Sequence, residues 1–232
     1  MIERADSLPL MRSPSAQGLK IRNVFSSYPE AEIFSQNNGQ AFISLLDLDV
    51  VIENLSCDIQ ELKSFLNFIN PKSIFSDIET LRNLDLDNIE KVNVLITHNT
   101  QEVAYPSDIL KSDEVYEMLK KGGFRLPDYE FFAVDFCRRL NKGTLKCFAM
   151  KNRCLAVTLN ADDYCMLNGI VSFEKGFGTV ALKSAIAQNN GKQMMVCCKD
   201  DLLKFYYKNG FFKIYEAGYW IRERNNQTDE FF

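Results

Sequence analysis

The segment Leu167–Ala185, LNGIVSFEKGFGTVALKSA, constrains the fold of this chain more than any other. Its pattern predicts an apolar strand, a short loop with Gly176 and Gly178, and then a helix. Two glycines let a loop backbone adopt positive φ and approach a ligand closely. The unpaired amides at the start of the helix then form a site for an anion such as a pyrophosphate, and Lys175 adds a positive charge. The alternative is a plain strand-to-helix turn that uses glycine.

Short strands are predicted on both sides of this loop. The three strands before it are joined by brief linkers, which indicates antiparallel pairing. A helix with the phrase FYYKNGF follows the next strand, and the chain continues into a strand with a bulge predicted at Gly218. The predicted strands are Thr144–Met150, Cys154–Asn160, Tyr164–Val171, Gln193–Cys198 and Phe211–Arg222.

Two motifs in this order resemble the GNAT superfamily of N-acyltransferases. The family's central motif, Arg/Gln-x-x-Gly-x-Gly/Ala between a strand and a helix, matches Phe173–Gly178, with phenylalanine at the first position. Its next motif, a helix ending in a phrase like F/L-Y-x-K-x-G-F, matches Phe205–Phe211. The resemblance covers roughly Asp135 to Arg222. It implies an α/β (α+β) fold in which helices flank a mixed, mostly antiparallel sheet.

The resemblance also implies a function, that of an acetyl-CoA-dependent N-acetyltransferase that moves an acetyl group directly to an amine without a metal. Loop amides would hold the pyrophosphate, the edge of the preceding strand would pair with the pantetheine arm, and an amide near Ile170 would polarise the acetyl carbonyl. Tyr206 matches the family tyrosine that protonates the departing thiolate. The implied coenzyme-binding residues are Gly169, Ile170, Val171, Ser172, Lys175, Gly176, Phe177, Gly178 and Thr179.

Two other functions stay open at this point. Gly176, Gly178 and Ala181 also fit the dinucleotide motif G-x-G-x-x-G/A, with Asp200 and Asp201 about 20 residues further on. That interpretation predicts a parallel sheet and binding of NAD(P). The other is a non-catalytic acyl-CoA-binding scaffold, because the central motif lacks its first polar residue and the sequence identifies no general base.

The first half of the chain is expected to form a smaller α/β domain. It begins with a predicted arm over Met1–Gly18, followed by three strands whose first turn carries the hairpin signal Asn38-Gly39. Asp58 is the predicted N-cap of the next helix, and a second helix is predicted over Ser73–Leu84.

Charge and a short repeat suggest where the chain divides. Residues 1–128 hold 12 basic and 20 acidic side chains, a net charge of −8, whereas residues 129–232 hold 15 and 11, a net charge of +4. Val115–Phe124, VYEMLKKGGF, is similar to Leu203–Phe211, LKFYYKNGF. The similarity fits either a degenerate GNAT-like copy or two unrelated helix ends. We therefore expect an N-terminal α/β domain of related topology at 1–128 and a catalytic domain at 129–232.

Composition argues against several classes of protein. Seven cysteines without a C-x-x-C pair argue against a disulfide scaffold or a zinc site, and the single histidine, His98, excludes a multi-histidine metal centre. No dense basic run indicates nucleic-acid binding, and no apolar run is long enough for a membrane span. We expect a cytoplasmic enzyme whose partner is a small-molecule or peptide amine acceptor, and a homodimer stays open.

Overall fold

The computed structural model contains two compact units. The first is built from Met1–Leu95 and Cys197–Tyr206 together with 212–222, and the second from Ile96–Val196 and Tyr207–Phe211. The domains expected at 1–128 and 129–232 were drawn from charge and motifs in the sequence, and they stay a prediction. The structure describes residues 1–9, 13–37, 39–98, 102 and 105–222.

The first unit is a layer of strands covered by helices. Its strands are β1 (Ile2–Arg4), β2 (Glu32–Gln36), β3 (Ala41–Leu46), β4 (Asp49–Asn54), β5 (Ser73–Asp77), β6 (Glu90–Thr97) and β11 (Phe211–Ile221). Its helices are α1 (Ala16–Ser27), α2 (Ile59–Ile69) and α3 (Ile78–Asn83). The strands follow the order β1-β2-β3-β4-β5-β11-β6. β4 and β5 are parallel, whereas β1 to β4 pair antiparallel in succession and β5 pairs antiparallel with β11.

Apolar side chains from the strands and the two helices that follow β4 and β5 form the core of this unit. Ile43, Ile52 and Ile74 come from the sheet, and Leu62 and Leu81 come from α2 and α3. All are almost fully buried. The predicted meander is confirmed, because β2 pairs antiparallel with β3 and β3 with β4. Asn38 of the predicted turn lies outside the described residues.

Two predictions for the first half are wrong. The predicted arm, Met1–Gly18, contains β1 and the start of α1, apart from residues 10–12, which lie outside the described residues. α1 escaped prediction because its buried side includes polar residues such as Gln17 and Asn23, which weaken the apolar periodicity. Ser73–Asp77 is the strand β5, and the helix begins only afterwards, since Asp77 Oδ1 caps it by accepting from the amide of Thr80 at 2.8 Å.

Gly218 is a point of close packing on β11. A Cβ atom built there would lie 2.6 Å from Ile89 Cγ2 and 2.9 Å from Leu81 Cδ1. The pairing of β11 with β5 runs without interruption through Gly218 opposite Ser76. No bulge therefore interrupts the β11–β5 pairing at Gly218, where one was predicted, and the glycine instead admits neighbouring side chains.

The second unit contains the strands predicted around the glycine loop. Its strands are β7 (Leu145–Met150), β8 (Cys154–Ala161), β9 (Tyr164–Ser172) and β10 (Gln193–Cys198), and its helices are α4 (Ser112–Lys121), α5 (Tyr129–Asn141) and α6 (Phe177–Gln188); α7 (Leu203–Lys208) follows β10. The strand order is β10-β9-β8-β7. β7, β8 and β9 pair antiparallel, and β9 and β10 pair parallel.

This topology confirms the mixed, mostly antiparallel fold and contradicts the parallel sheet that the dinucleotide interpretation predicted. The segment Val115–Phe124, which was compared with Leu203–Phe211, forms α4 and its C-terminal turn in the second unit. It is therefore not part of the first unit. The helices within the described residues are too short or too polar to span a bilayer.

Candidate functional site

The end of β9 extends beyond its pairing with β10. The two strands pair in parallel from Gln193 opposite Tyr164 to Val196 opposite Leu167, and β9 then continues to Ser172. This leaves the edge of β9 that includes Gly169, Ile170, Val171 and Ser172 past the last β10 pair. These are the residues predicted to pair with a pantetheine arm.

A β-bulge marks the point where this extension begins. On β8, Val157 is opposite Gly169 and the next residue, Thr158, is opposite Leu167, so that Asn168 is an extra residue on β9. A bulge bends its strand and changes the direction in which backbone groups point. It coincides with the end of the β9–β10 pairing, so the two strands separate at a defined position.

The loop after β9 leads into a helix with an uncapped N-terminus. Gly176 is the N-cap of α6 and has a φ of 91°, a left-handed conformation that favours glycine. Among the residues that the structure describes, no side chain caps the helix, and no acidic residue lies in its first turn. The first turn of α6 therefore holds no carboxylate that would offset the positive end of the helix dipole.

The amides predicted to hold a pyrophosphate fall into two groups. Those of Phe177 and Thr179 donate within the turn, to the carbonyls of Glu174 at 3.2 Å and Gly176 at 3.1 Å. Over the residues that the structure describes, the amides of Lys175, Gly176 and Gly178 have no backbone acceptor. These three amides are the donors available to an anion.

Close packing of α4 supports the extended end of β9. A Cβ atom on Gly122, just after α4, would clash with the Val171 side chain, whereas one on Gly169 would make only ordinary contacts, 3.4 Å from Leu119 Cδ2 and from Phe124 Cε1. Glycine at position 122 lets the C-terminal end of α4 approach the strand. One face of the predicted pantetheine-binding strand is thus covered by the protein.

Two cationic side chains near the loop were missed by sequence reasoning. The Arg153 guanidinium lies 5.3 Å from the centre of the Phe177 ring, and its Nε is 3.6 Å from Glu174 Oε1. The Lys121 ammonium lies 4.8 Å from the centre of the Phe173 ring. The antiparallel register could have located Arg153, because it places Cys154 directly opposite Ser172. Phe173 therefore occupies the position of the family's polar residue with a cation beside it.

The corresponding turn in the first unit, between β4 and α2, has the opposite character. Asp58 Oδ1 accepts from the amides of Gln60 at 3.0 Å and Glu61 at 3.2 Å, and the Asp58 amide donates to Gln36 Oε1 at 2.8 Å. The predicted N-cap at Asp58 is confirmed. Its carboxylate occupies the helix N-terminus that an anionic ligand would need, so this turn is unsuited to a pyrophosphate.

Tyr206 belongs to the first unit and is almost fully buried, with 2% of its surface exposed. Burial, with smaller contributions from Cys198 and Cys197, raises the pKa of the phenol well above its ordinary value, so it keeps its proton at neutral pH. Its assignment as the general acid stays a prediction. Its neighbour Tyr207 is about half exposed and lies in the second unit.

The two adjacent cysteines on β10 are not activated as nucleophiles. Burial raises the pKa of both Cys197 and Cys198 to about 11, which disfavours the thiolate at neutral pH. Asp135 is engaged with Arg139 Nε at 2.8 Å along α5, and Glu174, in the loop before α6, is half exposed beside Arg153. Neither arrangement identifies a general base.

Comparisons with known proteins identify the fold. No protein-family model matches the sequence, and no curated protein matches it. The structure is similar to that of a GCN5-related N-acetyltransferase from Sphaerobacter thermophilus, with a TM-score of 0.56 and 10% identity over 82% of this chain and 79% of that chain. It is also similar to a tandem GNAT protein from the clavulanic acid biosynthesis pathway, with a TM-score of 0.54 and 9% identity over 94% of this chain and 92% of that chain.

Sequence identities of 9 and 10% are too low to carry over an activity, but the folds correspond over most of both chains. The chain therefore has the fold of the GNAT N-acetyltransferases.

Proposed function

We propose that this protein is an acetyl-CoA-dependent N-acetyltransferase whose coenzyme site lies in the second unit, at the end of β9 and the start of α6. The observation that carries the proposal is the contrast between two equivalent turns. The turn before α6 offers the amides of Lys175, Gly176 and Gly178 without a side-chain cap, whereas the turn before α2 is filled by the carboxylate of Asp58. Only the former suits a pyrophosphate.

The chain's own residues then have separable tasks. The free loop amides bind the pyrophosphate, and the β9 edge from Gly169 to Ser172 pairs with the pantetheine amides in the manner of an added strand. An amide near Ile170 donates to the acetyl carbonyl oxygen, where negative charge develops during attack. Acetyl-CoA supplies an acetyl group as a thioester.

The transfer exchanges one bond for another. The amine nitrogen bonds to the acetyl carbon as the carbon–sulfur bond breaks, and the nitrogen releases one proton to solvent. Tyr206 donates a proton to the departing sulfur in this proposal, because its phenol is protonated at neutral pH, and the phenolate then regains a proton from solvent. The acceptor is a small-molecule or peptide amine, and no step requires a metal.

The first unit is, in this proposal, a degenerate copy that does not bind coenzyme. The order β2-β3-β4-α2-β5-α3-β6 repeats as β7-β8-β9-α6-β10-α7-β11, with a parallel pair around the first helix in both cases. Where β4 extends past its last pair with β5, Ser76 Oγ donates to the carbonyl of Ile52 at 2.9 Å. A backbone acceptor that an incoming pantetheine would need is thus already occupied. The similarity to a tandem GNAT protein over nearly the whole of both chains supports this interpretation.

A non-catalytic acyl-CoA-binding scaffold is the second candidate, favoured by Phe173 at the position of the family's polar residue. Both candidates predict that acetyl-CoA and CoA raise the melting temperature. They differ in release of free thiol from acetyl-CoA in the presence of a panel of amines. We expect thiol release that depends on one class of amine and falls sharply in Tyr206→Phe. Binding without thiol release from any amine would favour the scaffold, and no binding would overturn both.

A further inference from the structure

Arg153 lies in the turn between β7 and β8, and main-chain hydrogen bonds attach it to the glycine loop. Its amide donates to the Met150 carbonyl at 2.9 Å, and its carbonyl accepts from the Phe173 amide at 2.8 Å. Asn152 closes the turn with a left-handed φ of 63°. The sheet and the first residue of the loop therefore fix the backbone of Arg153, so its side chain starts from a defined position.

The Arg153 side chain lies against the first residue of α6. Its guanidinium carbon is 5.3 Å from the centre of the Phe177 ring, a distance at which a cation is attracted to an aromatic ring. Phe177 lies between Gly176 and Gly178, whose amides have no backbone acceptor within the described part of the chain. The guanidinium therefore adds a full positive charge and a planar fork of N–H donors beside two amides that can bind an anion.

The ion pair of Arg153 with Glu174 is weak enough to be exchanged. Arg153 Nε is 3.6 Å from Glu174 Oε1, longer than an ordinary hydrogen bond, and the two side chains are 52% and 50% exposed. An ion pair this exposed contributes little to stability, because water and salt screen it. A phosphate oxygen pair offers the same guanidinium two parallel, charge-assisted hydrogen bonds. Arg153 can therefore leave Glu174 for a bound phosphate, and Glu174 stays hydrated.

The neighbouring side chains do not supply an equivalent group. Phe173, at the first position of the loop motif, has no polar side-chain atom, and Lys175 is an exposed ammonium without the planar fork of a guanidinium. Lys151 is in the same turn as Arg153, but its Nζ is hydrogen-bonded to Glu114 Oε1 on α4. Of the two cations in the turn, Arg153 has the weaker acidic contact.

We propose that Arg153 binds the pyrophosphate of the coenzyme, so that the β7–β8 turn supplies the polar group that position 173 lacks. This inference rests on the proposed function and adds a residue that lies outside both sequence motifs. In the free protein, the Phe177 ring and Glu174 hold the guanidinium beside the start of α6. When coenzyme binds, the guanidinium exchanges the carboxylate for phosphate oxygens, and no covalent bond changes.

Isothermal titration calorimetry with CoA and with dephospho-CoA, which keeps the pyrophosphate but lacks the 3′-phosphate, tests the proposal. Arg153→Met should weaken binding of both ligands by about tenfold to a hundredfold, the effect of losing hydrogen bonds to a charged group. Arg153→Lys should fall between the wild type and Arg153→Met, because it keeps the charge and loses the fork. The matched control is Lys151→Met, which removes the same charge two residues away and should bind within about threefold of the wild type, since salt screens a charge that makes no contact.

Three results would overturn the assignment of Arg153 to the pyrophosphate. Arg153→Met could bind both ligands as tightly as the wild type, it could lose affinity for CoA alone, which would assign Arg153 to the 3′-phosphate, or it could lose no more affinity than Lys151→Met. Equal melting temperatures of the ligand-free variants establish that a loss of binding is not unfolding. A wild type that binds neither CoA nor dephospho-CoA would instead contradict the proposed function itself, so the two failures are distinguishable.

Discussion

Placing a carboxylate in the first turn of α6 should stabilise the free protein and abolish coenzyme binding. Thr179 is the third residue of α6, and its side chain is half-buried in the turn. Thr179→Asp copies the acidic helix start that α2 already has in Asp58 and Glu61. Thr179→Asn is the matched control, because it has nearly the same shape and no charge. The difference between the two variants isolates the effect of the charge.

The two effects have opposite signs and different sizes. A carboxylate near a helix N-terminus contributes about 0.3–1 kcal/mol of stability, so the free Asp variant should melt above the Asn variant. A pyrophosphate charge about 6 Å from that carboxylate, at an effective dielectric constant of about 20, is repelled by about 3 kcal/mol. That energy corresponds to about a hundredfold weaker binding for each interacting charge.

Differential scanning fluorimetry with and without acetyl-CoA measures both effects in the same samples. Thr179→Asn should keep most of the acetyl-CoA-induced rise in melting temperature, and Thr179→Asp should lose it while its ligand-free melting temperature rises. Equal acetyl-CoA shifts in the Asp and Asn variants would refute the assignment of this helix start to the pyrophosphate.

Three further predictions follow from the described contacts. Tyr206→Phe should lower acetyl transfer by about 10²-fold to 10⁴-fold without reducing the acetyl-CoA-induced melting shift; unchanged turnover would remove Tyr206 as the acid. Gly218→Ala should lower the free energy of unfolding in urea by about 1–3 kcal/mol, because the new Cβ meets Ile89 Cγ2 at 2.6 Å; a neutral result would mean that β11 shifts freely. Hydrogen bonds from Lys213 and Lys91 lower the pKa of Glu216 to about 2 from its ordinary 4.5. The stability that Glu216 adds over Glu216→Gln should therefore be complete above pH 4.5 and vanish as the pH falls through 2. A stability difference that does not change with pH in acid denaturation would contradict this assignment.

The sequence predicted the elements whose patterns are local. The three strands before the glycine loop and the helix after it have clear patterns of apolar residues in the sequence. Asp58 caps α2 by ordinary side-chain hydrogen bonding. α1 was missed because its buried side contacts the sheet through polar groups, including Arg22, whose Nη1 lies 3.7 Å from Glu53 Oε2. Periodicity of apolar residues cannot detect such a helix.

Long-range pairing explains the other differences. β5 was predicted as helix because Asp77 is the only residue in the amphipathic run Ser73–Leu84 that signals a change of secondary structure. Only the pairing of β5 with β4 and β11 selects the extended form. Arg153 became visible as a loop neighbour only once the β8–β9 register was known. The bulge at Asn168 also depends on that register, so the point at which β9 leaves β10 could not be derived from composition or spacing.

Hydrogen–deuterium exchange with and without acetyl-CoA is the sharpest test of the proposed pyrophosphate site, because the chain contains its own control. We expect slower exchange in peptides that cover 169–179, where the free amides of Gly176 and Gly178 lie. We expect no change in peptides that cover 55–62, where Asp58 already occupies the helix start. Protection at 55–62, or no protection at 169–179 at saturating acetyl-CoA, would contradict it.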